Sequence, residues 1–179
     1  MTVSYALLGL LEESDRHGYD LKQSYDRRFG ASRPLRFGQV YRTLAQLQRD
    51  GLVEVVAVEP GAGPDRKRYS ITAEGVTDLA QWLSEPEEPQ PNLQTVLFTK
   101  VILALQSGRP VEAFLDAQRD RHLAVMRELT AARRTASLQE SLLADYQLFH
   151  IEADLRWIDH AAGRLETLAV ELTGGEIRL

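Results

Sequence analysis

The sequence of 179 residues contains no cysteine, which excludes disulfide bonds, thiolate-bound zinc and cysteine nucleophiles. Long apolar runs are missing as well, because the longest one, VILAL at Val101–Leu105, is far too short to span a bilayer. The first residues, MTVSYALLGLLEE, lack a basic leader and a small-residue cleavage site, so no signal peptide is expected. These absences favour a globular protein of the reducing cytoplasm.

Motifs of enzymes and of metal sites are also missing. The sequence has no nucleophile elbow, no phosphate-binding glycine loop between a strand and a helix, and no paired carboxylates with a plausible cleft. His150, Asp154 and His160 come nearest to a metal site, but without cysteine they are too few ligands. The sequence therefore predicts no catalytic residue, no metal and no cofactor, and argues against an enzyme.

Acidic side chains are missing from one internal stretch. All charged residues between positions 27 and 49 are arginines, namely Arg27, Arg28, Arg33, Arg36, Arg42 and Arg49. Residues 1–84 carry 11 basic and 11 acidic side chains, whereas residues 85–179 carry 10 and 15, which accounts for the net charge of −5. A local positive patch inside an acidic protein is compatible with a nucleic-acid partner despite the net charge.

Apolar periodicity and turn residues predict a mainly α fold. In the first half we expect helices near residues 3–11, 18–29, 38–49 and 73–83, with a left-handed glycine, Gly30, after the second helix and Gly51 after the third. The segments LVEVVAVE (52–59) and RKRYSI (66–71) flank the turn PGAGPD and predict a β-hairpin. After SEPEEPQPN (84–92), which is typical of a linker, the pattern is entirely helical, with helices near residues 93–106, 111–134 and 138–172.

The third helix carries an unusual outer face. Val40, Leu44 and Leu47 share one side of the helix, and the opposite side presents Gln39, Arg42, Gln46 and Arg49, with Thr43 beside them. Two helices, a short loop and this helix form a helix-turn-helix order, and the hairpin supplies a wing. Arg and Gln can make bidentate bonds to base edges in the major groove, and basic wing residues can hold phosphates or enter the minor groove. The alternative is that this polar face is only solvated.

Four segments of the first half resemble the winged-helix domain of PadR-type bacterial transcriptional regulators. They are LLGLL (7–11), RHGYDLKQ (16–23), GQVYRTLAQLQRDGLV (38–53) and RKRYSITAEG (66–75), in the family's order. The helical second half, with LFTKVILAL and HIEADLRWIDHA, is more loosely similar to the C-terminal domain of the longer PadR-like subclass. The resemblance implies a winged helix-turn-helix DNA-binding domain at 1–84, a Pro/Glu-rich linker at 85–92 and a helical dimerisation and effector domain at 93–179.

The resemblance also implies DNA contacts. Tyr19 and Lys22 would contact the DNA backbone, and Gln39, Tyr41 and Arg42 would lie in the major groove. Together with the residues from the helix and hairpin patterns, the predicted DNA-binding set is Tyr19, Lys22, Arg36, Gln39, Tyr41, Arg42, Thr43, Gln46, Arg66, Lys67 and Arg68. Asp65 departs from related wings, which tend to be basic or neutral there, so it should weaken the grip on phosphate or fold back onto Arg66 or Arg68.

A homodimer on an inverted-repeat operator is expected from the resemblance and from the chain itself. One protomer offers few DNA-contacting side chains, and two copies one helical turn apart double them. The helices Leu93–Leu105 and Leu142–Trp157 also carry more apolar surface than one small domain can cover. The alternative for these helices is packing on their own winged-helix domain.

The resemblance further implies release of DNA by a small aromatic or hydrophobic effector, bound between the two domains or at the dimer interface. The candidate effector-binding residues are Tyr146, Phe149, His150 and Trp157, with Phe98, His122 and Met126 of similar character. Ordinary core packing is the alternative for these aromatic residues. The function predicted from sequence is thus a dimeric, sequence-specific DNA-binding regulator, acting as a repressor, and the alternative is a winged-helix module that binds a protein.

Overall fold

The computed structural model describes residues 2–30, 34–60, 66–90 and 93–172. It divides into two compact units, Met1–Leu83 and Ser84–Leu179. The described part is mainly helical with one small sheet, as the sequence predicts. No helix in this part of the chain is both long and apolar enough to cross a membrane.

The first unit has the element order of a winged helix. Its elements are α1 (Thr2–Glu13), β1 (Arg16–His17), α2 (Gly18–Arg28), α3 (Phe37–Arg49), β2 (Val53–Glu59), β3 (Arg66–Ile71) and α4 (Ala73–Ser84). The sheet is antiparallel in the order β1-β3-β2, with Arg16 opposite Tyr69 and Val53 opposite Ile71. The two-residue strand β1 is absent from the sequence prediction, because two residues carry no readable alternation.

Leucines from the helices form the core of this unit. Helix α1 is buried on most sides, and α2, α3 and α4 each bury one apolar face. The buried residues of these helices include Leu7, Leu8, Leu10, Leu11, Leu21, Val40, Leu44, Leu47, Leu79 and Leu83. The apolar side predicted for α3 is therefore confirmed. Its burial sets the rotation of the helix about its axis and turns the opposite face outward.

Three glycines mark close or left-handed backbone in this unit. Gly51, which ends α3, has φ +76°, a conformation that favours glycine. The left-handed conformation expected at Gly30 is wrong, because α2 already ends at Arg28 and Gly30 instead lies where a Cβ would be 2.6 Å from the Asp26 Cα. At Gly75 a Cβ would be 2.2 Å from the Leu52 carbonyl oxygen, so α4 can approach the start of β2 only without a side chain there.

Thr72 connects these glycine positions. Its Oγ1 accepts a hydrogen bond from the Gly75 N–H at 3.0 Å and donates to the Gly51 carbonyl at 2.7 Å. Thr72 is therefore the N-cap of α4. One side chain thus caps α4 and holds the turn that follows α3.

The second unit consists of α5 (Gln94–Gln106), α6 (Val111–Arg133), α7 (Leu138–Ala162) and α8 (Leu165–Leu172). A capping box between Ser137 and Glu140 starts α7. The single helix expected over 138–172 is wrong, because the chain turns at Gly163 and Arg164. Glycine is a poor helix former, and the Arg164 N–H bonds to the Ala161 carbonyl in a tight turn. This turn allows α8 to pack on α5.

The segment predicted as a linker is bound to helices of the second unit. Lys100 on α5 is 1% exposed, and its Nζ lies 2.8 Å from Glu87 Oε1 and donates to the Glu85 carbonyl at 2.7 Å. Burial lowers the pKa of Lys100, and the Glu87 carboxylate partly offsets that effect. Gln118 on α6 bonds both the N–H and the carbonyl of Glu87 at 2.7 Å. The segment around Glu87 is therefore fixed to α5 and α6.

Candidate nucleic-acid interface

The outer face of α3 is available to a partner. Gln39, Arg42, Gln46 and Arg49 are exposed, Arg36 is exposed just before the helix, and Thr43 is half-buried. Arg42 and Gln39 form no side-chain hydrogen bond or ion pair with any residue that the structure describes. Gln46 is engaged, because it donates to Asp50 at 2.8 Å and accepts from Arg49 at 2.5 Å. The freest polar groups on this face therefore belong to Gln39 and Arg42.

A charged clamp fixes the chain that leads into α3. The Lys22 Nζ donates to Asp26 Oδ2 at 2.6 Å, and Asp26 Oδ1 accepts the Leu35 N–H at 2.8 Å. Burial alone would raise the pKa of Asp26, but the hydrogen bonds from Lys22 and Leu35 and the charge of Lys22 lower it. Lys22, predicted to contact DNA, is half-buried in this clamp, so it positions α3 whether or not it also reaches a phosphate.

Exposed aromatic rings lie between α2 and α3. Tyr19 and Phe37 stack with ring centroids 5.7 Å apart, and their side chains are 52% and 44% exposed. Tyr41 covers Gly18 so closely that a Cβ on that glycine would be 2.6 Å from Tyr41 Cε1. Phe37 is absent from the sequence prediction, although an aromatic residue at the first position of an exposed helix is a readable signal. These rings place hydroxyl and apolar groups beside the polar face of α3.

The basic residues of the wing differ in their pairing. Arg68 bonds Glu59 on the neighbouring strand at 2.6 Å, and His17 Nε2 lies 3.5 Å from the same carboxylate. Arg66 and Lys67 are exposed and form no ion pair within the described ranges. Asp65, expected to weaken the wing or to fold onto Arg66 or Arg68, lies outside the described residues. Among the wing residues that the structure describes, the positive charge without an ion pair thus comes from Arg66 and Lys67.

The arginines of the acid-free stretch differ in whether they pair with an acidic residue elsewhere in the fold. Arg28 pairs with Glu13 on α1, and Arg33 lies outside the described residues. Arg36 and Arg42 remain exposed without an ion pair to a described residue. Of the described arginines in residues 27–49, Arg28 is thus paired with Glu13, and the exposed ones are Arg27, Arg36, Arg42 and Arg49.

One open concavity brings several predicted residues together. It has a volume of about 510 Å³ and is lined by Tyr19, Tyr41, Arg66 and Lys67 from the predicted set, together with His17, Gly18, Asp20 and Tyr69. Burial and the nearby Tyr41 raise the pKa of Tyr69. The concavity joins the start of α2 and the outer side of α3 to the wing. Its tyrosine hydroxyls and its cations are groups that can bind the phosphates of a nucleic-acid backbone.

The four predicted effector residues lie along α7 and differ in their exposure. Tyr146 and Phe149 are 52% and 67% exposed on the outward side of α7, and Trp157 is half-buried. His150 lines a cavity within the second unit, and its ring lies edge-on to Tyr146 with centroids 4.5 Å apart. His122, named for its similar character, is fully buried beside Asp154.

Comparison with known proteins gives one family. The model described as the transcriptional regulator PadR-like family matches residues 7–81, which contain α3 and both hairpin strands. A probable transcriptional regulator of Mycobacterium tuberculosis is 34% identical over 89 residues, covering 50% of this chain and 47% of that protein. The negative transcriptional regulator PadR of Bacillus subtilis is 28% identical over 81 residues, covering 45% and 44%. The chain thus spans about half the length of these curated relatives.

Among solved structures, Bacillus subtilis PadR in complex with operator DNA aligns with a TM-score of 0.44 at 19% identity. That alignment covers 92% of this chain and 99% of the other.

Proposed function

We propose, from the premise that this chain belongs to the transcriptional regulator PadR-like family through residues 7–81, that it is a DNA-binding transcriptional regulator. The observation that carries the proposal is the outward face of α3, where Gln39 and Arg42 are exposed and bond to no described side chain. A major groove admits an α-helix, and these two side-chain types match adenine and guanine edges. The α3 helix would read the bases from within that groove.

The surroundings of α3 support contacts to the DNA backbone. Arg36, Arg66 and Lys67 are exposed cations, and Tyr19 and Tyr41 line the same concavity as Arg66 and Lys67. Such side chains fix the register of a protein on the duplex without reading sequence. The proposed DNA-binding set also keeps Thr43, Gln46, Lys22 and Arg68. The last three bond to a carboxylate of the protein, so each must exchange or share that partner to reach DNA.

A gel-shift titration over a salt series tests DNA binding. If each protomer of a dimer neutralises phosphates with Arg36, Arg66 and Lys67, about six counterions are released, and affinity falls roughly 10³-fold between 50 and 200 mM salt. The DNA is the region upstream of the gene that encodes this protein, and a duplex of scrambled sequence is the control. Absence of any shifted band, or a band indifferent to salt, would instead support a winged-helix module that binds a protein.

We further propose a homodimer formed through α7. This helix buries Leu148, Ile151 and Ile158 on one side and exposes Leu142, Tyr146 and Phe149 on the other. Leu138 lies on the same exposed side and is 78% exposed. A second apolar stripe on one helix is costly in water, and a second copy of the chain covers it by pairing α7 with α7. Two winged units would then meet an inverted-repeat operator.

Light scattering at micromolar concentration checks the dimer. We expect a mass twice the chain's 20.2 kDa, and we expect Phe149→Glu to give 20.2 kDa because a carboxylate cannot be buried unpaired in an apolar interface. Val58→Glu, at an exposed apolar position on the hairpin, is the matched control and should remain dimeric. A monomeric wild-type protein would refute this part of the proposal.

The direction of control is proposed as repression in the cytoplasm, where the operator DNA lies. The Bacillus subtilis relative is named a negative regulator, which supports this direction. Release by a small aromatic or hydrophobic effector completes the proposal, and of the residues expected to bind it His150 has the best-placed side chain, because it lines a cavity.

A further inference from the structure

A cavity of about 170 Å³ opens within the second unit between α6, α7 and the segment at Pro89. Its apolar wall is formed by Val125, Leu129 and Ile151, and its polar side by Gln147, His150 and Asp154. A cavity of this size is close to one that accommodates a single benzene ring. The cavity therefore has room for one ring with a small substituent.

Asp154 is the unusual member of this lining. It is 1% exposed, and its Oδ2 lies 3.4 Å from His122 Nε2. Its Oδ1 is buried and has no hydrogen-bond partner among the residues that the structure describes. Buried carboxylate oxygens are costly without a donor, so an oxygen of this kind requires an explanation.

The neighbouring side chains cannot easily supply the missing donor. The other ring nitrogen of His122, Nδ1, lies 2.8 Å from the Gln118 carbonyl and 3.0 Å from Gln118 Nε2. The Gln118 side chain is itself fixed to the backbone of Glu87, because its Oε1 accepts the Glu87 N–H and its Nε2 donates to the Glu87 carbonyl. His122 is thus held in place by its own helix and by the segment at Glu87, and none of the described residues donates to Oδ1, so a bound molecule can supply that donor.

Burial raises the pKa of Asp154, and the hydrogen bond and charge of His122 only partly counter this. A ligand that brings a positive charge would offset the cost of burying the carboxylate. A ligand that brings a carboxylate would place two negative charges side by side and increase that cost.

We propose that this cavity binds a one-ring molecule bearing an ammonium group, with the ring against Val125, Leu129 and Ile151 and an N–H donated to Asp154. The inference rests on the proposed function only in giving the expected effector a chemical class, since the binding itself does not involve DNA. His150 connects the site to the proposed dimer face, because it lines the cavity and its ring contacts Tyr146 on the outward side of α7.

Isothermal titration of the full-length protein with benzylamine, and separately with benzoate, tests the site. Both probes are titrated to about 10 mM, because a ligand this small binds weakly even in a good pocket. We expect benzylamine to bind and benzoate not to bind. Asp154→Asn should weaken benzylamine binding about tenfold or more, because the charge-assisted hydrogen bond is lost while the shape is kept.

A second pair of variants keeps the test decisive if Asp154→Asn alters the fold. Leu129→Trp should abolish binding by filling the cavity with the carboxylate still present. Asp120→Asn, at an exposed carboxylate of α6, should bind benzylamine as the wild type does. Equal binding of benzoate, unchanged binding by Asp154→Asn, or no binding by the wild type would overturn the proposal.

A gel shift on the same preparations separates this inference from the proposed function. If benzylamine does not bind but the DNA shift is intact, only the proposed ligand site is overturned. If benzylamine binds but no DNA shift is seen, the ligand site is supported and the proposed function as a DNA-binding regulator is overturned.

Discussion

Replacing Arg42 with alanine is expected to abolish operator-specific binding while the protein stays folded and dimeric. Arg42 is exposed on the outer face of α3, opposite the buried Val40, Leu44 and Leu47, so truncation removes no packing. A bidentate arginine–guanine contact contributes roughly 1–3 kcal/mol of discrimination, and a dimer loses two of them. We expect the affinity of the variant for the operator to fall to that for a scrambled duplex, measured by gel shift at one fixed salt concentration.

Two further arginine variants give this experiment its controls. Arg66→Ala removes an exposed wing cation, so it should weaken binding to operator and scrambled DNA alike. It should also reduce the salt slope by about one for each phosphate that is no longer neutralised. Arg134→Ala, an exposed arginine of the second unit, should leave both affinities unchanged. If Arg42→Ala binds the operator as well as the wild type does, α3 is not the recognition helix.

Replacing Gly75 with alanine is expected to cause a large loss of stability in the first unit. The new Cβ would lie 2.2 Å from the Leu52 carbonyl oxygen and 2.8 Å from Ile71 Cγ1, and backbone cannot move aside as a flexible side chain can. Overpacking of this kind costs about 3 kcal/mol or more, a large fraction of the stability of a small domain. Urea unfolding followed by circular dichroism should show a lower midpoint.

Gly38→Ala is the matched control, because a Cβ at Gly38 meets nothing within 4 Å. Alanine is favoured over glycine in a helix by about 1 kcal/mol, so this variant should be as stable as the wild type or slightly more stable. A Gly75→Ala variant that unfolds at the wild-type midpoint would show that α4 does not approach β2 as closely as the structure places it.

Most helices and both hairpin strands could be predicted from sequence, because each depends on neighbours within a few residues. The apolar spacing of Val40, Leu44 and Leu47 determines which side of α3 is buried and therefore that Gln39 and Arg42 face outward. Prediction of the second unit was less accurate at its end. The turn at Gly163 depends partly on α8 packing against α5, and residues around the turn do not encode that contact.

Sequence alone does not tell which of the predicted DNA-binding side chains are already paired with another residue of the protein. Arg66 and Arg68 look alike in sequence, and Arg66 lies opposite Glu59 in the strand register. Yet the ion pair with Glu59 is formed diagonally by Arg68, and Arg66 has no ion-pair partner among the described residues. Lys22 looks like a surface lysine, yet it supports Asp26 and, through it, the N–H of Leu35. These partners depend on side-chain positions across the hairpin and on the packing around α2.

The sequence by itself determined the helix faces, the hairpin, the acid-free stretch before and along α3, and the likeness to a family. Those properties follow from local periodicity and from the order of residue types along the chain. Only the tertiary structure decided which cations are free, how the segment at Glu87 is bound, and that Asp154 meets His122 32 residues away. Ion pairs and buried polar contacts depend on distances of a few ångströms between elements, and no spacing along the chain specifies those distances.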